Sequence, residues 1–167
     1  SPECLTQARL CEVLDYDQET GVFRWKERRG CAAAGSTAGC KAYFGSNRNW
    51  IAIVTSIDGH RCYAHHLAWL YVYGEWPSTK IDHRDGDPTN NRISNLRLAT
   101  TSQNNQNRRP AGITGVKGVR PTPAGRWMAR IKFNGRTKYL GTYATKEEAG
   151  AAYEGAARHH FGEFART

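Results

Sequence analysis

The sequence predicts a small α+β protein built from two parts. Apolar residues recur at helical spacing over residues 64–73, whereas polar and apolar residues alternate as in a half-buried strand over residues 126–133. Between them, residues 110–118 contain three glycines and no core-facing pattern, which is typical of a linker. We therefore expect a first part at 1–109, divided into 1–60 and 61–109, a linker at 110–117 and a second part at 118–167.

The chain carries a large excess of basic residues. Its 167 residues include 24 Lys and Arg against 15 Asp and Glu, a formal net charge of +9. Such a charge favours a polyanionic partner, with nucleic acid first and an anionic membrane surface as the alternative. No apolar run reaches the roughly 20 residues of a spanning helix, and no signal-peptide pattern is present. The five cysteines are odd in number and lack a C-x-x-C pair, so we expect neither a zinc site nor a complete disulfide framework. We expect a cytoplasmic location, in a bacterium or a phage-infected host cell.

The first sixty residues predict a helix followed by short strands. Residues 5–14 have a weak helical pattern, which we expect to stop at a turn over 15–17. A loop rich in Gly, Ala and Cys is expected to run through Lys41. Asp58-Gly59 lies between two extended apolar runs and predicts a two-residue hairpin. Strands are expected at residues 21–25, 50–55 and 61–64.

The next segment predicts a helix that leads into a polar, asparagine-rich region. The helix over residues 64–73 should end at Gly74, and the polar region covers 81–109. Thr100 or Thr101 can cap a further helix in that region. Two short strands are expected before this helix, at residues 81–83 and 96–98.

This order of strand, loop, strand and helix predicts a metal site. It lets Asp82 on the first strand and Asn104 in the first turn of the helix converge as oxygen ligands, with His83 facing a water beside the metal. Hard oxygen ligands suit Mg²⁺ or Mn²⁺. A cation stabilises the charge that builds on a phosphodiester under attack. A histidine can accept a proton at neutral pH, which is worth on the order of 10²–10⁴-fold in rate.

The spacing of these residues resembles a known motif. Asp82-His83, then eleven residues, Asn95, eight residues and Asn104 resemble the ββα-metal motif of HNH nucleases, in the variant whose last histidine is Asn. This resemblance implies that Asp82 and Asn104 bind one divalent ion, that His83 is the general base, and that Asn95 holds the loop that orients His83. Relatives commonly carry Arg at the position of His66, so no phosphate contact is assigned there. Segments that resemble the phage and bacterial homing-endonuclease branch are residues 63–69, 74–77 and 91–96.

Other polar residues of this region receive less specific interpretations. Asp85 and Asp87 are interpreted as turn formers, and His65 is either packed or part of the cleft. Four asparagines are expected to cap or turn the backbone without chemistry: Asn90, Asn91, Asn105 and Asn107.

The C-terminal part predicts a basic sheet face against a helix. Asn134-Gly135 is a hairpin signal that would pair Phe133 with Arg136, Lys132 with Thr137 and Arg130 with Tyr139. A capping box at 145–148 starts a helix with a stripe of small apolar residues that can lie close to a sheet. The basic face of the strand contains Arg126, Met128, Arg130 and Lys132.

This part resembles the AP2 DNA-binding domain over about fifty residues. The similar segments include residues 116–120, 125–127, 139–143 and 147–153. The family places a three-stranded sheet in the major groove. At Thr122, Ala124 and Thr137 the chain departs from the family, so no sequence preference is transferred. A basic face that is merely solvated is the alternative. The resemblance implies DNA contacts from Lys117, Arg120, Arg126, Arg130, Lys132 and Tyr139.

These observations predict a metal-dependent HNH DNA endonuclease, site-preferring and of the homing or mobile-element kind. The expected partner is double-stranded DNA, bound by a monomer or a homodimer, and the expected cofactor is one Mg²⁺ or Mn²⁺ ion per site. The alternative is a catalytically inactive DNA-binding protein with a regulatory or architectural role. A nonspecific nuclease is a weaker third hypothesis, because it would have little use for a separate DNA reader.

Overall fold

A computed structural model describes residues 5–46, 50–107, 114–133 and 135–165. Its contacts divide the chain into two units, Ser1–Leu98 and Ala99–Thr167. The described residues form four α-helices and four small sheets, so the predicted α+β class is confirmed. Half of the expected linker, residues 110–113, lies outside the described residues, and the position of the linker stays a prediction. None of the helices in the described ranges has the length and apolar character needed to cross a membrane.

The first unit begins with a helix and a hairpin. Helix α1 (Gln7–Val13) starts at Thr6, whose side chain accepts a hydrogen bond from the Arg9 N–H at 3.2 Å. Strands β1 (Leu14–Asp17) and β2 (Val22–Trp25) follow and pair antiparallel. The turn expected at 15–17 is wrong, because buried and exposed residues alternate along β1 with the period of a strand.

A three-stranded sheet follows, in the order β3-β4-β5. It contains β3 (Cys40–Phe44), β4 (Trp50–Ile57) and β5 (His60–Tyr63). The predicted hairpin is confirmed, since Asp58 and Gly59 have φ of 49° and 79°, the positive values that such a turn requires. The loop was expected to run through Lys41, and this boundary is wrong, because β3 already begins at Cys40 and pairs with β4.

Helix α2 (Ala64–Tyr73) has the predicted bounds and carries much of the core of the first unit. Gly74 ends it in the left-handed conformation, and its N–H donates to the Leu70 carbonyl at 3.0 Å. Leu67 and Leu70 are buried in the cluster that also contains Leu10 and Phe23. Burial of each such side chain stabilises the fold by about 1.5–3 kcal/mol.

The two short strands predicted around the polar loop are confirmed. Strand β6 (Lys80–His83) pairs with β7 (Leu96–Ala99), and a single 3₁₀ turn at Ile93–Asn95 leads into β7. The loop between the strands is held close to β7, because the Arg84 N–H donates to the Asn95 carbonyl at 2.8 Å. Asp82 and His83 therefore lie at the end of a paired strand.

The second unit contains two helices and a three-stranded sheet of order β8-β9-β10. The predicted helix after Thr100 is confirmed, and Thr100 and Gln103 cap it reciprocally. The Gln103 N–H donates to the Thr100 hydroxyl at 3.3 Å, and the Thr100 N–H donates to the Gln103 side chain at 2.8 Å. The elements are α3 (Thr101–Asn107), β8 (Val119–Pro121), β9 (Trp127–Phe133), β10 (Arg136–Tyr143) and α4 (Lys146–Phe161).

The register of β9 and β10 agrees with the hairpin prediction. Phe133 pairs with Arg136, Lys132 with Thr137, and Arg130 with Tyr139. An irregularity between Tyr139 and Gly141, which was not predicted, then shifts the pairing. The capping box that starts α4 is present, and its small-residue stripe is buried at Ala149, Tyr153 and Ala157.

The close approach of Gly21 to the polar loop gives a test of the first unit. A Cβ at Gly21 would lie 2.4 Å from the Arg92 nitrogen and 2.5 Å from the Asn91 carbonyl carbon, and φ is +73°. Gly59 has a similar φ of +79° with nothing within 4 Å of its added Cβ. We expect Gly59→Ala to cost only the left-handed strain, about 1–2 kcal/mol. Gly21→Ala should cost at least about 2 kcal/mol more, because backbone atoms must move.

Urea unfolding followed by tryptophan fluorescence measures both variants, since four of the five tryptophans precede residue 99. Equal free energies of unfolding for the two variants would show that Gly21 does not pack closely against the loop.

Candidate functional site

Asp82 is buried at the end of β6 and forms an ion pair. Its Oδ2 accepts a hydrogen bond from the Nε of Arg97 at 2.8 Å, and both side chains are almost completely buried. The pairing of β6 with β7 brings the two residues together. A buried carboxylate of this kind needs a charged partner, because desolvation of an unpaired charge costs several kcal/mol, on the order of 3–5 when one partner is removed.

The ring of His83 is oriented by Asn91. His83 Nε2 lies 3.3 Å from Asn91 Oδ1, and Asn91 Nδ2 donates to the Thr89 carbonyl at 3.2 Å. Because the amide nitrogen is used by Thr89, the amide oxygen faces the ring. This arrangement assigns the proton of the neutral imidazole to Nε2 and makes Nδ1 its basic nitrogen.

Asn91 is a residue that the sequence interpretation missed. It was expected to have no chemistry, yet its side chain contacts the proposed base directly. It is only 2% exposed, and its own carbonyl accepts a hydrogen bond from the Tyr16 hydroxyl at 2.6 Å. Nothing in the local sequence distinguishes Asn91 from Asn90, whose side chain instead donates to Asp85 at 2.7 Å.

The side chain of Asn95 fastens the polar loop by three hydrogen bonds, whereas its predicted part in orienting His83 stays a prediction. Its Nδ2 donates to the Asp85 carboxylate at 2.9 Å and to the Asn90 carbonyl at 2.8 Å, and its Oδ1 accepts from the Asp85 N–H at 3.0 Å. Burial raises the pKa of Asp85, but hydrogen bonds from Asp87, Asn95 and Asn90 outweigh it and hold the pKa below its ordinary value. The loop therefore keeps its charge and shape near neutral pH.

Asp87 forms a turn within the same loop. Its Oδ1 accepts hydrogen bonds from the N–H and the hydroxyl of Thr89 at 2.9 and 2.8 Å. This geometry supports the turn-forming interpretation of the two loop aspartates.

A second histidine packs against the proposed base. The rings of His65 and His83 are 5.3 Å apart, edge to face, and His65 is 9% exposed. Burial, with smaller contributions from the charges of His66 and His83, lowers the pKa of His65 to about 2. Burial also lowers the pKa of His83, against the Asn91 hydrogen bond and the charges of three aspartates. Both rings are therefore neutral near pH 7, and His83 can accept a proton.

The expected metal ligands lie in different units. Asp82 belongs to the first unit, whereas Asn104 belongs to α3 of the second, where its N–H donates to the Thr100 carbonyl at 3.0 Å. Their convergence stays a prediction. The structured ranges contain no group of three His, Cys, Asp or Glu side chains suited to a metal. A site made of one carboxylate, one amide oxygen and water needs no such group, and its donors are the hard oxygens that Mg²⁺ prefers.

The second unit presents a basic sheet face. The pairing of Arg120 with Met128 and of Arg130 with Tyr139 places these side chains on the face that also contains Lys132. Within the described ranges, no carboxylate lies within ion-pair distance of these three cations. Tyr139 is 60% exposed on the same face. The opposite face buries the core residues of the sheet, Ala129 and Ile131.

Two other residues expected to bind DNA have partners within the second unit. The ammonium group of Lys117 donates to the Gln106 carbonyl on α3. Arg126 precedes β9, and its guanidinium donates to the Thr142 carbonyl at 3.3 Å. Their predicted DNA contacts are not tested by these interactions.

The tautomer of His83 provides a test of this geometry. At neutral pH we expect a long-range ¹H–¹⁵N spectrum of the imidazoles to show His83 protonated at Nε2. Asn91→Ala should leave a mixture of tautomers, because it removes the acceptor. Asn90→Ala is the control, since Asn90 does not contact the ring. A neutral His83 that carries its proton on Nδ1 in the wild type would contradict the assignment.

Comparison with known proteins agrees with both parts of the chain. Residues 62–106 match the HNH endonuclease family. The chain is 38% identical over 97 residues to an uncharacterized HNH endonuclease of Acanthamoeba polyphaga mimivirus, which covers 58% of this chain and 51% of that protein. It is 47% identical over 60 residues to an ethylene-responsive transcription factor of Arabidopsis thaliana. This second match covers 35% of this chain and 23% of that protein. The chain thus spans about half or less of the relatives it matches. Residues 62–106 are thus similar to an HNH endonuclease domain, and the C-terminal part of the chain is AP2-like.

Proposed function

We propose that this protein is a metal-dependent DNA endonuclease that hydrolyses phosphodiester bonds at preferred sites, as a homing or mobile-element enzyme does. The observation that carries the proposal is the buried, neutral His83 ring, held by Asn91 beside Asp82 within the HNH domain. A binding-only protein would not require this arrangement.

The proposed chemistry assigns one task to each residue. HNH nucleases are generally metal-dependent, and a bound Mg²⁺ or Mn²⁺ would neutralise charge on the scissile phosphate and the leaving oxygen. Asp82 and Asn104 would hold that ion through side-chain oxygens. His83 accepts a proton from the attacking water at Nδ1, because Nε2 donates to Asn91. Asn95 keeps the loop, and through it His83, in position.

The basic sheet face supports the proposed binding to DNA. Arg120, Arg130 and Lys132 can contact phosphates or base edges, and the exposed ring of Tyr139 can pack against the sugar or a base. The proposed role of this face is to raise affinity and site preference. It does not take part in the reaction itself.

The first test of the function removes the base. We expect His83→Ala to lower the cleavage rate by about 10²–10⁴-fold, because proton transfer from water is lost. DNA affinity should change little, since a neutral ring is not a phosphate contact. His159→Ala, which removes an exposed histidine, is the control. Conversion of supercoiled plasmid to nicked and linear forms in Mg²⁺ measures the rate, and fluorescence anisotropy in EDTA measures affinity.

Equal losses of rate and affinity in His83→Ala would argue against its role as a base. A wild-type protein that binds plasmid tightly and never cuts it would instead be a catalytically inactive DNA-binding protein.

The metal ligands are tested by titration of the cofactor. Asn104→Ala should raise the Mg²⁺ concentration required for half-maximal cleavage, because it removes one oxygen ligand. Asn105→Ala alters the next residue of the same helix and should leave the requirement unchanged. Asp82→Asn should act in the same direction as Asn104→Ala. Cleavage that continues in excess EDTA would show that the metal mechanism is wrong.

The basic sheet face is tested by the salt dependence of binding. Replacing Arg130 and Lys132 by Ala should lower affinity and reduce the slope of log K against log salt by about 0.9 for each phosphate that is no longer neutralised. Arg136 and Lys138 pair with Phe133 and Ile131, on the other face of the same sheet, so their double Ala variant has the same charge and serves as control. Equal slopes for the two double variants would show that this face does not bind DNA.

A further inference from the structure

The three-stranded sheet of the first unit has an aromatic face that is separate from its core. On β3, β4 and β5, the cross-strand pairs place Phe44 opposite Trp50, and the alternation of strand residues places Arg61 and Tyr63 on the same side. We call these four residues the aromatic face. The opposite side of β4 and β5 faces the hydrophobic core through Ile53, Ile57 and Cys62.

The rings of the aromatic face are packed against one another. Ring centres are 4.6 Å apart for Phe44 and Trp50, 5.8 Å for Trp50 and Tyr63, and 5.9 Å for Phe44 and Tyr63. Trp50 nevertheless remains 42% exposed. The face is thus a partly exposed aromatic platform whose side chains have little freedom left to lose on binding, which favours affinity.

A cation is fixed on the same platform. The guanidinium carbon of Arg61 lies 5.2 Å from the centre of the Phe44 ring. No carboxylate among the described residues is within ion-pair distance of Arg61. The nearby Asp58 is occupied by Arg9 and Arg29, at 2.9 and 3.3 Å. Arg61 also borders an open depression of about 510 Å³ whose lining includes Cys40 and Ser56. A positive charge without an acidic partner is complementary to phosphate.

The aromatic face is connected to the proposed base by ring contacts. Tyr63 stacks on His65 at 5.5 Å with an interplanar angle of 18°, and His65 contacts His83 at 5.3 Å. Trp50 contacts Tyr63, so a chain of three ring contacts leads from Trp50 to His83. A nucleotide bound on Trp50 therefore lies within a few nucleotides of the bond that His83 would attack, since one DNA strand advances about 3.4 Å per nucleotide.

We propose that the aromatic face binds an unpaired nucleotide of the DNA substrate, with its base stacked on Trp50 and its phosphate beside Arg61. Bases inside a duplex already stack on one another, so an exposed ring can stack on a base only where a face of that base has been freed from its neighbour, and an unpaired base offers such a face without a cost of unstacking the duplex. The proposal rests on the proposed nuclease function for the identity of the substrate. It adds that the substrate is locally opened next to the site of cleavage.

The test measures binding without cleavage. The probe is a labelled twelve-residue oligothymidylate, which has no stable pairing, compared with a fully paired duplex of the same length. Binding of the full chain is followed by fluorescence anisotropy in EDTA. We expect Trp50→Leu to weaken oligothymidylate binding by about tenfold, the loss of one base stacked on an aromatic ring. Trp50→Phe should retain part of the affinity, because it keeps a ring.

Arg61→Gln should weaken binding of the same probe and reduce its salt dependence. The controls are Tyr43→Leu and Lys41→Gln, which remove an exposed aromatic and a cation from the other side of β3. Both should bind oligothymidylate within about twofold of wild type, because truncating a side chain that lies outside the binding surface changes the binding free energy little. Circular dichroism melting confirms that each variant is folded.

Three results would overturn the proposal. One is unchanged oligothymidylate binding in folded Trp50→Leu, and another is an equal loss in the Tyr43 and Lys41 controls. The third is a dimer in sedimentation that Trp50→Leu abolishes, because the face would then join two copies of the chain. If plasmid is cut while oligothymidylate binding is unaffected by Trp50→Leu, only this inference fails. If Trp50 is required for binding but no DNA is ever cut, only the proposed function fails.

Discussion

The buried amide of Asn91 is the hydrogen-bonding constraint on which the proposed site depends. At 2% exposure it cannot exchange its partners for water, and an unsatisfied buried polar group costs about 1–3 kcal/mol. Its nitrogen is satisfied by Thr89, its oxygen by His83, and its main-chain carbonyl by Tyr16. Asn91 therefore positions three parts of the first unit: the hairpin that contains Tyr16, the polar loop and the imidazole of His83. Gly21 has no side chain, so the hairpin can approach the main chain of Asn91 closely.

Charge is distributed in two ways in this molecule. Asp82 and Arg97 compensate one another in the interior, where the low polarity makes an unpaired charge expensive. The cations of the sheet faces are arranged differently: Arg61 in the first unit and Lys132 in the second are exposed and Arg130 is half-buried, and none of them has an acidic partner among the described residues. These three cations contribute to the excess charge of +9 and are available to a polyanion, whereas Arg97 fixes the carboxylate of Asp82 at the end of β6.

Much of the fold could be predicted because its signals are local. The helical spacing before Gly74 predicted α2 with its observed bounds, and the turn dipeptide Asp58-Gly59 located the β4–β5 hairpin. The β9–β10 register followed from Gly135 and the alternation of side chains. In each case the residues that determine the structure are neighbours in the sequence, so periodicity and turn chemistry suffice. The spacing of Asp82 and His83 identified the polar loop for the same reason.

Long-range contacts decided the rest. Strand β3 has a weak pattern of its own and is defined by its pairing with β4, so local patterning offered no reason to end the expected loop before Lys41. Asn90 and Asn91 are indistinguishable in sequence, yet only the second lies against His83, because the Tyr16 hydroxyl comes from 75 positions away. The sequence by itself determined which chemical groups are present and which local helices and hairpins carry them. The tertiary structure decided which asparagine orients the base, because hydrogen bonds between distant segments depend on how those segments pack.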